Sequence, residues 1–188
     1  FRDPDVHDKL SAQGGQAESF QADLADESAC AGLVSRVAAR LGKVDAVVTD
    51  PPYGVGYAYG ERDADDPATW AGGLAETFSA IDAACAGPIL WFGAAKTMPR
   101  DIKIFPREPG RTIIWTPRFT LSLTRSDGLF YKWHPCYYWN VAKGAEFDRD
   151  WLDDPCEGHH WWDHPATKPL SLLEKLVTAA PSGTTVLD

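Results

Sequence analysis

The chain has 188 residues, 44% of them hydrophobic and 12% aromatic, which fits one domain with a sizeable core and excludes a disordered protein. Its apolar runs are far shorter than a membrane helix, no signal-peptide pattern opens it, and its four cysteines form no C-x-x-C pair, so we expect a cytoplasmic protein without membrane or disulfide framework. The net charge is −9, but residues 96–132 hold eight basic and three acidic side chains, which keeps a nucleic-acid partner possible.

The predicted elements alternate between helices and strands along the chain. Helical spacing of apolar residues covers 27–42, 68–86 and 168–180. Strand-like runs end at Asp23 and cover 44–49, 88–93, 111–116, 136–141 and 182–188. An Asp-Gly turn at 127–128 predicts a hairpin, so we expect an α/β fold with a mostly parallel sheet and one antiparallel hairpin. We interpret 1–188 as a single domain, truncated at both ends.

The stretch TDPPYG at 49–54 ends the second predicted strand abruptly. Proline lacks an amide hydrogen and biases the preceding residue toward extended backbone, so Pro51 and Pro52 hold Asp50 rigidly. Open α/β sheets bind ligands at the carboxyl ends of their strands. An ordinary turn uses the same residue types, so this stretch alone leaves a structural and a catalytic interpretation open.

The basic segment 96–132 interleaves cations with aromatic side chains, a pattern that suits a phosphate backbone and unstacked bases. A solvated surface of mixed charge is the alternative interpretation. The candidate DNA-binding residues are Lys96, Arg100, Arg111, Arg118 and Arg125.

A cysteine and three histidines lie within CEGHHWWDH at 156–164. Their spacing fits no standard zinc finger, and Trp161 and Trp162 look like packing residues, so we predict no metal site.

Three motifs follow one another along the chain: DPPYG at 50–54, HPATKPLSLLEKLV at 164–177 and SGTTVLD at 182–188. In these motifs, and over about residues 18–188, the chain resembles the β-class amino-group DNA methyltransferases. Their motifs read Asp-Pro-Pro-Tyr, His-Pro-Thr-Gln-Lys-Pro and Gly-x-x-Val-Leu-Asp-Pro-Phe in this order. The matches in the second and third motifs are His164, Pro165, Lys168, Pro169, Gly183, Val186, Leu187 and Asp188.

This resemblance implies a Rossmann-like class I methyltransferase sheet with a circularly permuted motif order. It also implies transfer of a methyl group from S-adenosylmethionine to the N6 amine of a flipped-out adenine in DNA, as in restriction-modification. Asp50 and the Pro51 carbonyl would accept the amine hydrogens, and Pro51 and Pro52 would keep these two acceptors fixed. Tyr53 would stack on the base. Asp rather than Ser before Pro-Pro-Tyr favours adenine over cytosine by family habit.

The resemblance further implies which residues surround the cofactor. Lys168 and Pro169 would line the methionine side, Asp188 would end the first cofactor strand, and Asp23 would lie near the adenosine, with Asp50 at the reacting end. The family's glycine-rich loop would follow Asp188, so we expect this chain alone to bind the cofactor poorly or not at all.

Target recognition would fall to residues 143–163, which carry seven acidic and two basic side chains and should repel phosphates. DNA contact then falls to the basic segment and the loop after Tyr53. Two alternatives remain: a non-catalytic DNA-binding or partner module with the same fold, and a methyltransferase for RNA or for the cytosine N4 amine.

Overall fold

The computed structural model describes residues 18, 20, 27–56, 65–117, 132–141, 150–154, 168–178, 180 and 185–187. The chain divides into two compact units, Phe1–Gly42 and Lys43–Asp188. In the first unit, helix α1 spans Glu27–Leu41, as its apolar spacing predicts. It ends at Gly42, which has a φ of 86° and donates its amide hydrogen to the Ala38 carbonyl over 2.9 Å, a left-handed cap that favours glycine.

The second unit is built on a six-stranded mixed sheet with the order β5-β3-β4-β2-β1-β6. The strands are β1 Ala46–Thr49, β2 Ile89–Phe92, β3 Arg111–Trp115, β4 His134–Trp139, β5 Trp151–Leu152 and β6 Val186–Leu187. Strand β4 is antiparallel to β2 and β3, and the other pairings are parallel. The helices of this unit are α2 Pro67–Ala84, α3 Met98–Ile104 and α4 Leu170–Val177.

The predicted α/β class is confirmed, together with the antiparallel pairing of the two aromatic strands. Strand β4 begins two residues before its predicted start, and α4 begins after Pro169, which precedes its first turn. Helix α3 and strand β5 were not predicted, because seven and two residues are too short for a periodic signal. The strand predicted to end at Asp23 and the turn at 127–128 lie outside the described residues.

Both faces of the sheet are covered, because side chains alternate along each strand. On one face, α4 packs Leu172 and Leu176 against Leu90, Ile113 and other buried side chains. The opposite face is aromatic. The rings of Phe78 and Phe105 lie 4.5 Å and 4.8 Å from that of Trp139, within the range of favourable aromatic pairs.

Strands β1, β2 and β6 are parallel, and β3 runs in the same direction because both β2 and β3 are antiparallel to β4. The carboxyl ends of these four strands therefore lie at one edge of the sheet, which we call the carboxyl edge. Antiparallel β4 starts at this edge with His134 and ends at the opposite one. Among the described helices, none combines the length and the apolar character needed to cross a membrane.

Candidate active site

At the carboxyl edge, three polar side chains from two distant motifs meet. The ammonium of Lys168 donates to Asp50 Oδ2 over 2.6 Å and to the Tyr53 hydroxyl oxygen over 2.9 Å. The Tyr53 hydroxyl in turn donates to Asp50 Oδ1 over 2.5 Å. We call this arrangement the Asp50–Tyr53–Lys168 cluster. It joins residues that are 118 positions apart in the chain.

Local structure explains why these side chains converge. Asp50 directly follows β1, whose three buried residues Ala46, Val47 and Val48 fix the strand between β2 and β6. Lys168 stands directly before Pro169, whose extended backbone leads into the first turn of α4. Buried Leu172 holds that helix against the sheet, so the position of Lys168 is set by packing.

The environment of the Lys168 ammonium is both buried and aromatic. Its side chain is 5% exposed, whereas that of Asp50 is 32% exposed. The ammonium lies 5.5 Å from the ring centre of Tyr53, 5.0 Å from that of Phe92 and 5.8 Å from that of Trp115. Aromatic faces attract cations at such distances. The paired carboxylate offsets the cost of removing the charge from water.

A histidine that the sequence patterns did not single out completes this environment. The ring of His134 lies 5.2 Å from that of Trp115 and 6.3 Å from that of Tyr53. The pKa of His134 is lowered to about 4, first by burial and then by the Lys168 ammonium, against the opposing effects of the Asp50 carboxylate and the Gly93 backbone. Its Nδ1 is buried and has no hydrogen-bond partner within the described part of the chain. The imidazole is therefore neutral at physiological pH.

The loop after Tyr53 is held by two charged side chains from outside the motif. Arg100 of α3 donates to the carbonyl oxygens of Tyr53 and Gly54 over 2.8 Å and 3.2 Å. The carboxylate of Asp65 accepts the amide hydrogens of Gly54 and Val55 over 2.6 Å and 3.2 Å. Sequence reasoning predicted a DNA contact for Arg100 and did not find Asp65, because no spacing rule links it to the motif.

The remaining candidate DNA-binding residues do not share one location. Lys96 is exposed in the turn after β2, at the carboxyl edge. Arg111 is exposed at the start of β3, at the opposite edge. Arg118 and Arg125 lie outside the described residues, as do Asp23, Asp188, His164 and the recognition segment 143–163 apart from residues 150–154. Their roles stay predictions.

Comparisons with known proteins support the fold. Neither the family models nor the curated proteins gave a match to the chain. Among solved structures, the crystal structure of the M1.HpyAVI–SAM complex aligns with a TM-score of 0.54 and 17% identity, over 82% of this chain and 76% of that one. The crystal structure of M1.HpyAVI aligns with a TM-score of 0.52 and 15% identity, over 82% and 74%. The chain therefore shares the α/β fold of these two structures over most of its length.

Proposed function

We propose that this protein transfers a methyl group from S-adenosylmethionine to the N6 amine of an adenine that is flipped out of DNA. The observation that carries the proposal is the Asp50–Tyr53–Lys168 cluster, in which the Asp-Pro-Pro-Tyr motif and the Lys-Pro motif meet at one sheet edge. An open α/β sheet binds its ligands at this edge. The fold likeness to a structure solved with SAM supports the cofactor.

The exocyclic amine of adenine needs help because its lone pair is delocalised into the ring. Asp50 keeps its two oxygens fixed through Tyr53 and Lys168, and a carboxylate offers about four acceptor sites in all. It can therefore accept a hydrogen from the amine while it stays in place, with the Pro51 carbonyl as second acceptor. Acceptors fixed before the reaction stabilise the developing positive charge on nitrogen. Tyr53 would stack on the base.

The residues at the site fit a cationic cofactor. The Asp50 carboxylate is partly exposed and offers a partner for positive charge, whereas the space among the rings of Tyr53, Phe92 and Trp115 is filled by the Lys168 ammonium. Lys168 and Pro169 would hold the methionine side, and the predicted roles of Asp23 and Asp188 belong to the same proposal. When bound, S-adenosylmethionine supplies an activated methyl group on a sulfonium centre.

The permuted order of the motifs is part of the proposal. Strand β6 lies next to β1 in parallel, with Ala46 opposite Val186 and Val47 opposite Leu187. The strand that the resemblance assigns to the cofactor is thus a neighbour of the strand that carries Asp50, although it comes last in the chain. This adjacency supports one site built from both motifs.

The test is transfer of labelled methyl from S-adenosylmethionine to unmethylated duplex DNA by the full-length protein, followed by base digestion. We expect the label in N6-methyladenine. Asp50→Ala should abolish transfer while calorimetry still detects cofactor binding, and Glu76→Ala, which removes an exposed carboxylate from α2, should transfer normally.

Other outcomes would change the assignment. Label in N4-methylcytosine, or in RNA but not in DNA, would replace the substrate. DNA binding without any label would favour the non-catalytic module.

A further inference from the structure

Two charged side chains hold the backbone of residues 53–55, one through its carbonyl oxygens and the other through its amide hydrogens. The guanidinium of Arg100 spans two consecutive carbonyl oxygens, those of Tyr53 and Gly54. The carboxylate of Asp65 spans two consecutive amide hydrogens, those of Gly54 and Val55. Such two-pronged charged hydrogen bonds are stronger and more directional than neutral ones. The peptide between Tyr53 and Val55 therefore has little freedom to rotate.

One of these two side chains is buried, and the other is oriented by a buried carboxylate. Asp65 is 1% exposed, and its backbone carbonyl also accepts the amide hydrogen of Gly56 over 2.9 Å. Arg100 is oriented by Asp101, to which its Nε donates over 2.9 Å. Asp101 is itself buried and accepts the Thr97 hydroxyl over 2.8 Å. Hydrogen bonds through Arg100 and Asp101 thus connect the backbone of residues 53–55 to α3.

Gly54 shows how closely the loop is enclosed. Its φ is 61°, a conformation that side chains disfavour. A Cβ built there would lie 2.3 Å from Cδ1 of Trp70 on α2. The two pairs of hydrogen bonds therefore hold the loop in close contact with α2. Tyr53 and Asp50, which precede this part of the loop, contact Lys168 in the Asp50–Tyr53–Lys168 cluster.

We propose that Arg100 and Asp65 are positioning residues, which hold Tyr53 and Asp50 in their reactive geometry through the backbone of residues 53–55. The inference rests on the proposed function, because it assigns these two side chains to the same reaction. A displacement of about 1 Å at a reacting group can lower a rate by about 100-fold. Arg100 is then committed to the loop and does not bind a phosphate.

The test compares Arg100→Lys and Arg100→Met with Lys103→Met, which removes an exposed cation from the same helix. We expect both Arg100 variants to lower kcat by about 10- to 100-fold. Lysine keeps the charge but lacks the rigid planar fork with which arginine spans two consecutive carbonyl oxygens. The KM for DNA, the Kd for S-adenosylmethionine and the salt dependence of DNA binding should stay near wild type in the Arg100 variants, and Lys103→Met should keep the wild-type kcat at saturating DNA. Methylguanidinium should partly restore an Arg100→Ala variant.

A second measurement does not depend on activity. Hydrogen exchange of the Gly54 and Val55 amides should be faster in Arg100→Lys and in Asp65→Asn than in wild type and in Lys103→Met. If the wild-type protein transfers no methyl group, the proposed function fails. The exchange rates alone then decide whether Arg100 and Asp65 hold the backbone of residues 53–55.

Three results would overturn the proposal. One is wild-type kcat in Arg100→Lys. Another is weaker DNA binding in Arg100→Met with a salt slope reduced by about 1, which marks a lost phosphate contact. The third is unchanged exchange at Gly54 and Val55 in the Arg100 and Asp65 variants.

Discussion

Two arginines of the basic segment lie at opposite edges of the sheet and serve different parts of the molecule. Arg100 binds the loop of the candidate active site at the carboxyl edge. Arg107 lies before β3 at the opposite edge, where its Nε donates to Asp82 over 3.2 Å and its Nη2 donates to Asn140 over 3.0 Å. Asn140 continues this contact to the Gly87 carbonyl over 2.8 Å.

The two edges of the sheet differ in what their charged side chains contact. At the opposite edge, the charged side chains join α2, the residues before β2 and the end of β4. The carboxyl edge brings together a buried ammonium, a partly exposed carboxylate and an imidazole nitrogen that has no hydrogen-bond partner among the described residues. Buried polar groups without partners are costly, so we interpret the carboxyl edge as the part that is built for a ligand. Variants at each edge should separate activity from stability.

The largest effect is expected for Lys168→Met. Loss of the ammonium removes the hydrogen bonds through which Lys168 joins the two motifs, so Asp50 and Tyr53 lose their common donor. We expect kcat for methyl transfer to fall by about 100-fold or more. Lys175→Met is the control. It breaks the ion pair between Lys175 of α4 and Asp154, which follows β5, and should lower the melting temperature with little change in kcat. Equal kcat values in the two variants would contradict a special role for Lys168.

The next effect is expected at Gly54. In Gly54→Ala the new methyl group meets Trp70 and the backbone is strained, at a combined cost of about 3 kcal/mol in the free energy of unfolding. Gly56→Ala has the same kind of strain, with a φ of 77°, but open space around the Cβ, so it should cost about 1 kcal/mol. Urea denaturation measures both. Similar values for the two variants would mean that the contact with α2 is unimportant.

His134 should make stability depend on pH. Its pKa is about 4 in the folded protein against 6.5 in the unfolded chain, so the unfolded chain binds more protons between these values and stability falls as the pH is lowered. We expect wild type to lose about 2 kcal/mol more than His134→Phe between pH 7 and pH 5. Parallel pH profiles of the two proteins in urea denaturation would contradict the burial of a neutral imidazole.

The smallest effect is expected at the opposite edge. Arg107→Met should lower the free energy of unfolding by about 1 kcal/mol, because its side chain is 39% exposed and water screens its pairing with Asp82. Its kcat should equal that of wild type. A fall in kcat comparable to that of Arg100→Met would erase the distinction between the two edges.

Part of the site could be predicted from the sequence, because it is encoded in short motifs. Asp50 and Tyr53 follow a strand whose apolar run is visible at 44–49, and Lys168 precedes a helix with clear apolar spacing. Asp65 could not be predicted in this way. It lies in ERDADDP, a stretch with four acidic residues, and only the structure shows that it is buried and accepts the Gly54 amide hydrogen.

Sequence by itself determined the alternation of helices and strands, the antiparallel pairing of the aromatic strands and the motif residues, because periodicity and local backbone preference act over a few residues. Tertiary structure alone decided which cations serve the site. Arg100, Arg107 and Arg111 cannot be told apart by residue type. The arrangement of the strands places Arg100 at the carboxyl edge and the other two at the opposite edge. It also decided that Lys168 meets Asp50 and that His134 is buried as a neutral group, because such contacts depend on distances across the sheet rather than along the chain.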